Sequence, residues 1–228
     1  MSSGLEGVGV PDHPEQPHCA TVLLLDTSGS MAEANKINQL TEGLAIFKED
    51  VEGDPLASKR VDLAVVTFGD VVSVSSDFST VEQFQVPALS ASGSTPMGEA
   101  IMKAIDLISQ RKQDYKLRGI DYYRPWIFMI TDGGPTDMKP GDPFWTQVVD
   151  AVRKGEAGKQ FLFFAVGVEP CDMNVLKMIA PAERPPVRLQ KGKFKELFQW
   201  LSKSQSKVSA SRVGDQVPLD SPKGWAAI

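Results

Sequence analysis

Short, continuous apolar runs that alternate with stretches of helical period constrain this chain more than any other feature. Residues 21–25, Thr-Val-Leu-Leu-Leu, form one such run, the signature of a strand covered on both faces. Ile37, Leu40, Leu44, Phe47 and Val51 follow at helical spacing, and Gly53, Asp54 and Pro55 stop the helix. Residues 61–68 give a second strand, and Gly69-Asp70 turns the chain into a third, antiparallel one over residues 71–74. Pro96 opens a helix whose buried face is Met97, Ala100, Ile101, Ala104, Ile105 and Ile108. Strands over residues 125–131, 160–168 and 187–189 then alternate with helices around Trp145 and Val175 and a last one through Phe194, Leu197, Phe198 and Leu201. This order predicts an α/β fold: a doubly wound, mostly parallel central sheet with one antiparallel edge strand and helices on both faces.

A chain of 228 residues, 42% hydrophobic, is enough for one such core. The expected division is a flexible N-terminal segment over residues 1–18, one domain over 19–202 and a flexible Ser-, Lys-, Gly- and Pro-containing tail over 203–228. A net charge of −5 supplies no basic field for phosphate backbones, so nucleic acid is not an expected partner. The first residues carry neither a basic start nor an apolar run, and no apolar stretch approaches the ~20 residues of a membrane helix, so a cytoplasmic protein without membrane contact is expected. Cys19 and Cys171 fall at opposite ends of the expected sheet and read as reduced thiols in or near the core.

In a doubly wound sheet, ligands bind beyond the carboxyl ends of the strands where the strand order reverses. Three oxygen-bearing loops belong there: Asp26, Ser28 and Ser30 as D-x-S-x-S after the first strand, Thr95 before the central helix, and Asp132 after the strand over 125–131. In an extended loop every second side chain projects to one side, so Asp26, Ser28 and Ser30 can face one ion. Hard oxygens without His or Cys suit Mg²⁺, Mn²⁺ or Ca²⁺, and hydroxyls, carboxylates and waters in an octahedron suit Mg²⁺ best.

The wording D-T-S-G-S, S-G-S-T-P-M-G and M-I-T-D-G-G resembles the metal-ion-dependent adhesion site of von Willebrand factor A (VWA) domains, with no departure from the order Asp-Ser-Ser, Thr, Asp. Within that family the compact length and the S-T-P-M-G wording resemble bacterial cytoplasmic TerY-like proteins of tellurite-resistance and stress operons. The resemblance implies a Rossmann-like fold and a non-enzymatic, divalent-metal-dependent protein-binding module. In it Ser28, Ser30 and Thr95 coordinate metal directly, Asp26 and Asp132 act directly or through water, and a Glu or Asp of a partner takes the open position. A kinase and a phosphatase of the same operon are the partners the TerY-like resemblance suggests.

Each of these features also has a plainer reading. Asp-x-Ser-Gly-Ser alone is usually a turn and helix cap, and only its coincidence with Thr95 and Asp132 in the right contexts favours metal. Acidic residues at strand ends also occur in Mg²⁺-dependent phosphoryl-transfer enzymes. Against that alternative, no second acid adjoins Asp26, and neither a P-loop lysine motif nor a nucleophile elbow is present. His13 and His18 read as surface or strand-edge residues without a role. Met97 is either a border of the partner surface or a buried helix position. The serines and lysines after residue 202 read as a solvated end, with regulatory phosphorylation as the sharper alternative.

Overall fold

The computed structural model describes residues 11–227. Its strands are β1 (Cys19–Asp26), β2 (Val61–Phe68), β3 (Val72–Thr80), β4 (Trp126–Thr131), β5 (Leu162–Gly167), β6 (Val187–Leu189) and β7 (Ala226–Ala227). They form one sheet in the order β3-β2-β1-β4-β5-β6-β7. Pairing from β2 through β6 is parallel, whereas β3 is antiparallel to β2. The fold is thus the doubly wound, mostly parallel sheet that the alternation predicts, with a two-residue antiparallel strand added at the far edge.

The helices are α1 (Lys36–Glu52), α2 (Ala57–Arg60), α3 (Met97–Arg118), α4 (Pro143–Ala157), α5 (Met173–Ile179) and α6 (Phe194–Ser209). Strand alternation sends Cys19, Leu23 and Leu25 of β1 into a core with Leu40, Leu44 and Phe47 of α1 and Leu197, Phe198 and Leu201 of α6. Ala20, Val22 and Leu24 enter the opposite core with α3, α4 and α5. Every residue of β1, β2 and β4 is buried, which explains why these strands are apolar runs rather than alternating ones. Edge strand β3 alternates in exposure instead. Met97 is fully buried, so the second of its two readings holds. Cys19 and Cys171 are free and buried.

Packed structure continues past both expected boundaries. Helix α6 runs to Ser209, with Val208 and Gln205 on its buried side and the Gln205 amide donating to Thr21 Oγ1 at 2.9 Å. The chain then returns so that Trp225 packs in the core and β7 pairs with β6. Ser204 and Ser209 are buried, which removes them as accessible phosphorylation sites. At the N-terminus, residues 1–10 of the expected flexible segment lie outside the described residues, but His18 is fully buried and bridges to Tyr122.

His18 belongs to a charged cluster at the N-terminal end of the strands. Asp62 of β2 accepts from His18 Nδ1 at 3.0 Å, from Arg111 Nη2 at 2.6 Å and from the Tyr115 hydroxyl. The other His18 nitrogen, Nε2, stands 3.1 Å from the His13 carbonyl. Both neighbours of the ring accept only, so the ring that satisfies both is doubly protonated. Burial opposes that charge, but the hydrogen bond and negative charge of Asp62 outweigh it and raise the His18 pKa. Burial likewise opposes ionisation of Asp62, yet the His18 hydrogen bond and the Arg111 charge hold its carboxyl below the usual range.

A raised histidine pKa gives stability that is complete below the unfolded value of about 6.5 and is lost as pH rises through the folded value. The depressed Asp62 value contributes above about pH 3.9 and is lost as pH falls through the folded value. Urea unfolding between about pH 5.5 and 9 should therefore show declining stability on the alkaline side in the parent chain. In His18→Gln that decline should be flat; an equal slope in both proteins removes His18 as its source.

Candidate functional site

The strand order reverses between β1 and β4, whose carboxyl ends deliver Asp26 and Asp132 to one crevice. Asp26 is fully buried. Its Oδ1 accepts from the Ser28 amide at 2.8 Å and its Oδ2 from the Thr131 hydroxyl at 2.5 Å. Burial pushes its pKa above the ordinary carboxylate range and the Asp132 charge adds to this, while the Ser28 and Thr131 hydrogen bonds act in the opposite direction.

Ser28 is extended, with φ −63° and ψ 165°, but a 3-10 helix over Gly29–Asn35 follows at once, so Ser30 meets Ser28 through a helical turn and not through the extended alternation expected of D-x-S-x-S. The Ser28 and Ser30 hydroxyls lie 3.1 Å apart, and Ser30 donates to Asp132 Oδ1 at 2.6 Å. Thr95 stands just before α3 and is held by the loop after β4: its amide donates to Thr136 Oγ1 at 3.0 Å, and its carbonyl accepts from the Thr136 amide at 2.9 Å. Asp137 completes that clamp by accepting from the Gly98 and Glu99 amides at the start of α3. The loop before Thr95 is fixed by Ser92, which donates its hydroxyl to Asp70 and its amide to the Thr27 carbonyl. Gly93, with φ +75°, crosses so close to Asp70 that a Cβ there would fall 1.9 Å from Asp70 Oδ1.

Gly133 leaves the centre of the crevice open. A Cβ at this position would sit 3.3 Å from Thr95 Oγ1 and 3.9 Å from Asp26 Oδ2. All five residues singled out from the sequence thus converge. Ser28, Ser30 and Asp132 touch in series, Asp26 joins through the Ser28 amide, and Thr95 faces Asp26 across Gly133.

The donor set fits a hard divalent ion. All of its donors are hydroxyl or carboxylate oxygens, the kind such an ion takes at ~2.0–2.1 Å, and Ser28, Ser30 and Asp132 are already joined in series by hydrogen-bond contacts. Cys171 lies beside the crevice with its Sγ 3.9 Å from the Gly133 carbonyl, but burial and the Asp132 charge push its thiol up to about 12, so it offers no thiolate.

Residues not singled out from the sequence also shape the site. Lys36, the first residue of α1, directs its ammonium at Asp132 Oδ2. Thr131 grips Asp26, and Thr136 and Asp137 hold the Thr95 loop. Their sequence signals were faint: a threonine closing an apolar strand, a polar pair after Gly-Gly-Pro, and a lysine at a helix start, where a cation is disfavoured.

The family model of the von Willebrand factor type A domain matches residues 21–201. The chain belongs to that family. Its VWA fold is similar to that of a von Willebrand factor type A protein from Catenulispora acidiphila, at TM-score 0.63 and 15% identity, covering 84% of this chain and 43% of that one. The chain therefore spans less than half the length of that protein. The vWF domain of the type V pili tip protein Mfa5 from Porphyromonas gingivalis aligns at TM-score 0.64 and 11% identity over 88% of this chain and 99% of the other. BatB from Bacteroides thetaiotaomicron aligns at TM-score 0.56 and 16% identity over 85% and 100%. No curated protein gives a significant sequence match. VWA domains are commonly non-catalytic adhesion or interaction modules that mediate contacts between proteins. Among the described residues no helix is long and apolar enough to cross a membrane.

Proposed function

We propose that this VWA domain binds a partner protein through a divalent cation, Mg²⁺ being the best fit and Mn²⁺ or Ca²⁺ the alternatives. Ser28, Ser30 and Thr95 would hold it directly, and Asp26 and Asp132 directly or through water. The observation that carries this reading is the meeting of three oxygen-bearing loops at the switch point, with hydroxyl and carboxylate separations of 3.1 and 2.6 Å. A bound ion would supply a Lewis-acidic position for a Glu or Asp of the partner. The residues of the chain divide the remaining work. Asp26, gripped from both sides, supplies negative charge from behind the crevice, and the neutral hydroxyls in front leave the cation's charge available to an incoming acid.

On this reading the domain is a binding module, not an enzyme. Its cytoplasmic setting in a bacterial tellurite-resistance or stress system, with a kinase and a phosphatase as partners, rests on the TerY-like wording of the motifs. Asp26→Ala should abolish the gain in melting temperature that Mg²⁺ gives the parent domain, a gain worth about 2.7 kcal/mol at a hundredfold excess over Kd. Affinity capture with the parent domain in Mg²⁺ should retain proteins that are lost in chelator and with Asp26→Ala. Unchanged metal affinity in Asp26→Ala by calorimetry would sink the site assignment.

A further inference from the structure

Lys36 occupies a position that three separate effects make unfavourable. The residue is 5% exposed, so its side chain has given up most of its water. It stands in the first turn of α1, where the helix dipole repels a cation and no acidic side chain compensates. The turn that places it there puts Ala34 at φ 51° and Asn35 at φ 60°, a left-handed conformation that alanine rarely adopts. What compensates is Asp132: the ammonium bonds its Oδ2 while Ser30 bonds its Oδ1. Lys36 also borders a cavity of about 400 Å³, shared with Glu33, Gln39, Glu169, Lys191 and Phe194.

From this we infer that Lys36 is an internal cation that competes with the divalent ion for Asp132 and so sets how tightly the site takes metal. The inference rests on the metal-site reading above. Asp26 and Asp132 bring two negative charges, and Lys36 cancels one. Metal binding therefore works against a resident positive charge, and a loaded site keeps one net positive charge for an acidic partner instead of none. Unit charges a few ångströms apart in a partly buried site interact strongly enough to change affinity by more than tenfold.

The test compares the parent chain with Lys36→Gln, whose amide can still donate to Asp132 without charge, and with Lys36→Met. Mn²⁺ affinity is read by calorimetry, and urea midpoints are read in chelator and in saturating Mn²⁺. Lys36→Gln is expected to bind Mn²⁺ at least tenfold more tightly than the parent. Both variants should be less stable than the parent in chelator, with the difference closing in saturating Mn²⁺. A purely structural lysine would instead lower stability equally in both conditions and leave the affinity alone. Equal or weaker Mn²⁺ binding by folded Lys36→Gln overturns the role of Lys36 while leaving the metal site standing. Absence of Mn²⁺ binding in the parent and in both variants overturns the metal-site reading and this inference with it.

Discussion

Asp62→Ala should destabilise the domain by about 3–5 kcal/mol, the range for removing one partner of a buried ion pair. The loss should sit at the upper end because Asp62 serves two cations. Its Oδ2 takes Arg111 through Nε at 3.1 Å and Nη2 at 2.6 Å, and its Oδ1 takes His18 at 3.0 Å. Alanine would take this carboxylate from Arg111, a residue 2% exposed whose other neighbours include Asp114 at 3.6 Å and the faces of Phe78 and Tyr115. Asp114 stands too far for the close hydrogen bonds that Asp62 makes, at 2.6 and 3.1 Å, to the same guanidinium. Because domains of this kind have only about 5–15 kcal/mol of stability in total, urea unfolding at neutral pH should show much of it gone. Metal affinity, read at the opposite end of the sheet, should stay near the parent value in whatever fraction is folded. A loss under about 1 kcal/mol would mean that Arg111 and His18 find other partners or water, and that the cluster is not what anchors the segment before β1.

The position of Asp62 also shows what the sequence could and could not disclose. An acid inside the apolar run over residues 61–68 announces a buried charge, but its partners lie 44 residues back at His18 and 49 residues on at Arg111. No local period links those positions, which is why His18 read as having no role. The strands β1, β2 and β4 were legible because burial on both faces demands an unbroken apolar run, a property of the residues themselves. The end of α6 was not, because its buried face past Ser202 is built mostly from Ser204, Gln205 and Ser209, polar residues that a hydrophobic pattern passes over, with Val208 alone among them. Trp225 is one aromatic in a polar stretch, and only the folded chain brings it against Trp200, with ring centroids 5.4 Å apart.

The candidate site divides in the same way. Asp26, Ser28, Ser30, Thr95 and Asp132 could be read because each sits at a strand end or helix start that the pattern locates, and because all carry hard oxygens. Lys36 could not, since it looks like an ordinary solvated residue at the start of an amphipathic helix until the turn through Ala34 and Asn35 aims it inward. Thr131 and Thr136 act through hydrogen bonds to Asp26 and to the Thr95 backbone, contacts between loops that no spacing encodes.

Gly133→Val should lower divalent-metal affinity at least a hundredfold, about 2.8 kcal/mol at 1.4 kcal/mol per decade, while leaving the metal-free fold near parent stability. The reason is local. Gly133 follows Asp132 at the mouth of the crevice, and a Cβ there already approaches Thr95 Oγ1 to 3.3 Å and Asp26 Oδ2 to 3.9 Å, before the two γ-methyl groups of valine are added. Those methyls would fill the space between hydroxyl and carboxylate, and Thr95, with its amide and carbonyl both bonded to Thr136, can give way by no more than a few tenths of an ångström. The backbone should tolerate the change, because Gly133 does not have the left-handed φ that would strain an L residue. Neither core cluster includes it, so no packing is opened. Gly133→Ala should fall between, since a single methyl at 3.3 Å asks Thr95 to shift by only a few tenths of an ångström. Calorimetry with Mg²⁺ or Mn²⁺ gives the affinity, and urea unfolding in chelator gives the stability of the same samples. A graded loss from glycine through alanine to valine, at constant chelator midpoint, is the expected pattern. Parent-like affinity in folded Gly133→Val would put the ion somewhere other than between Thr95 and Asp26.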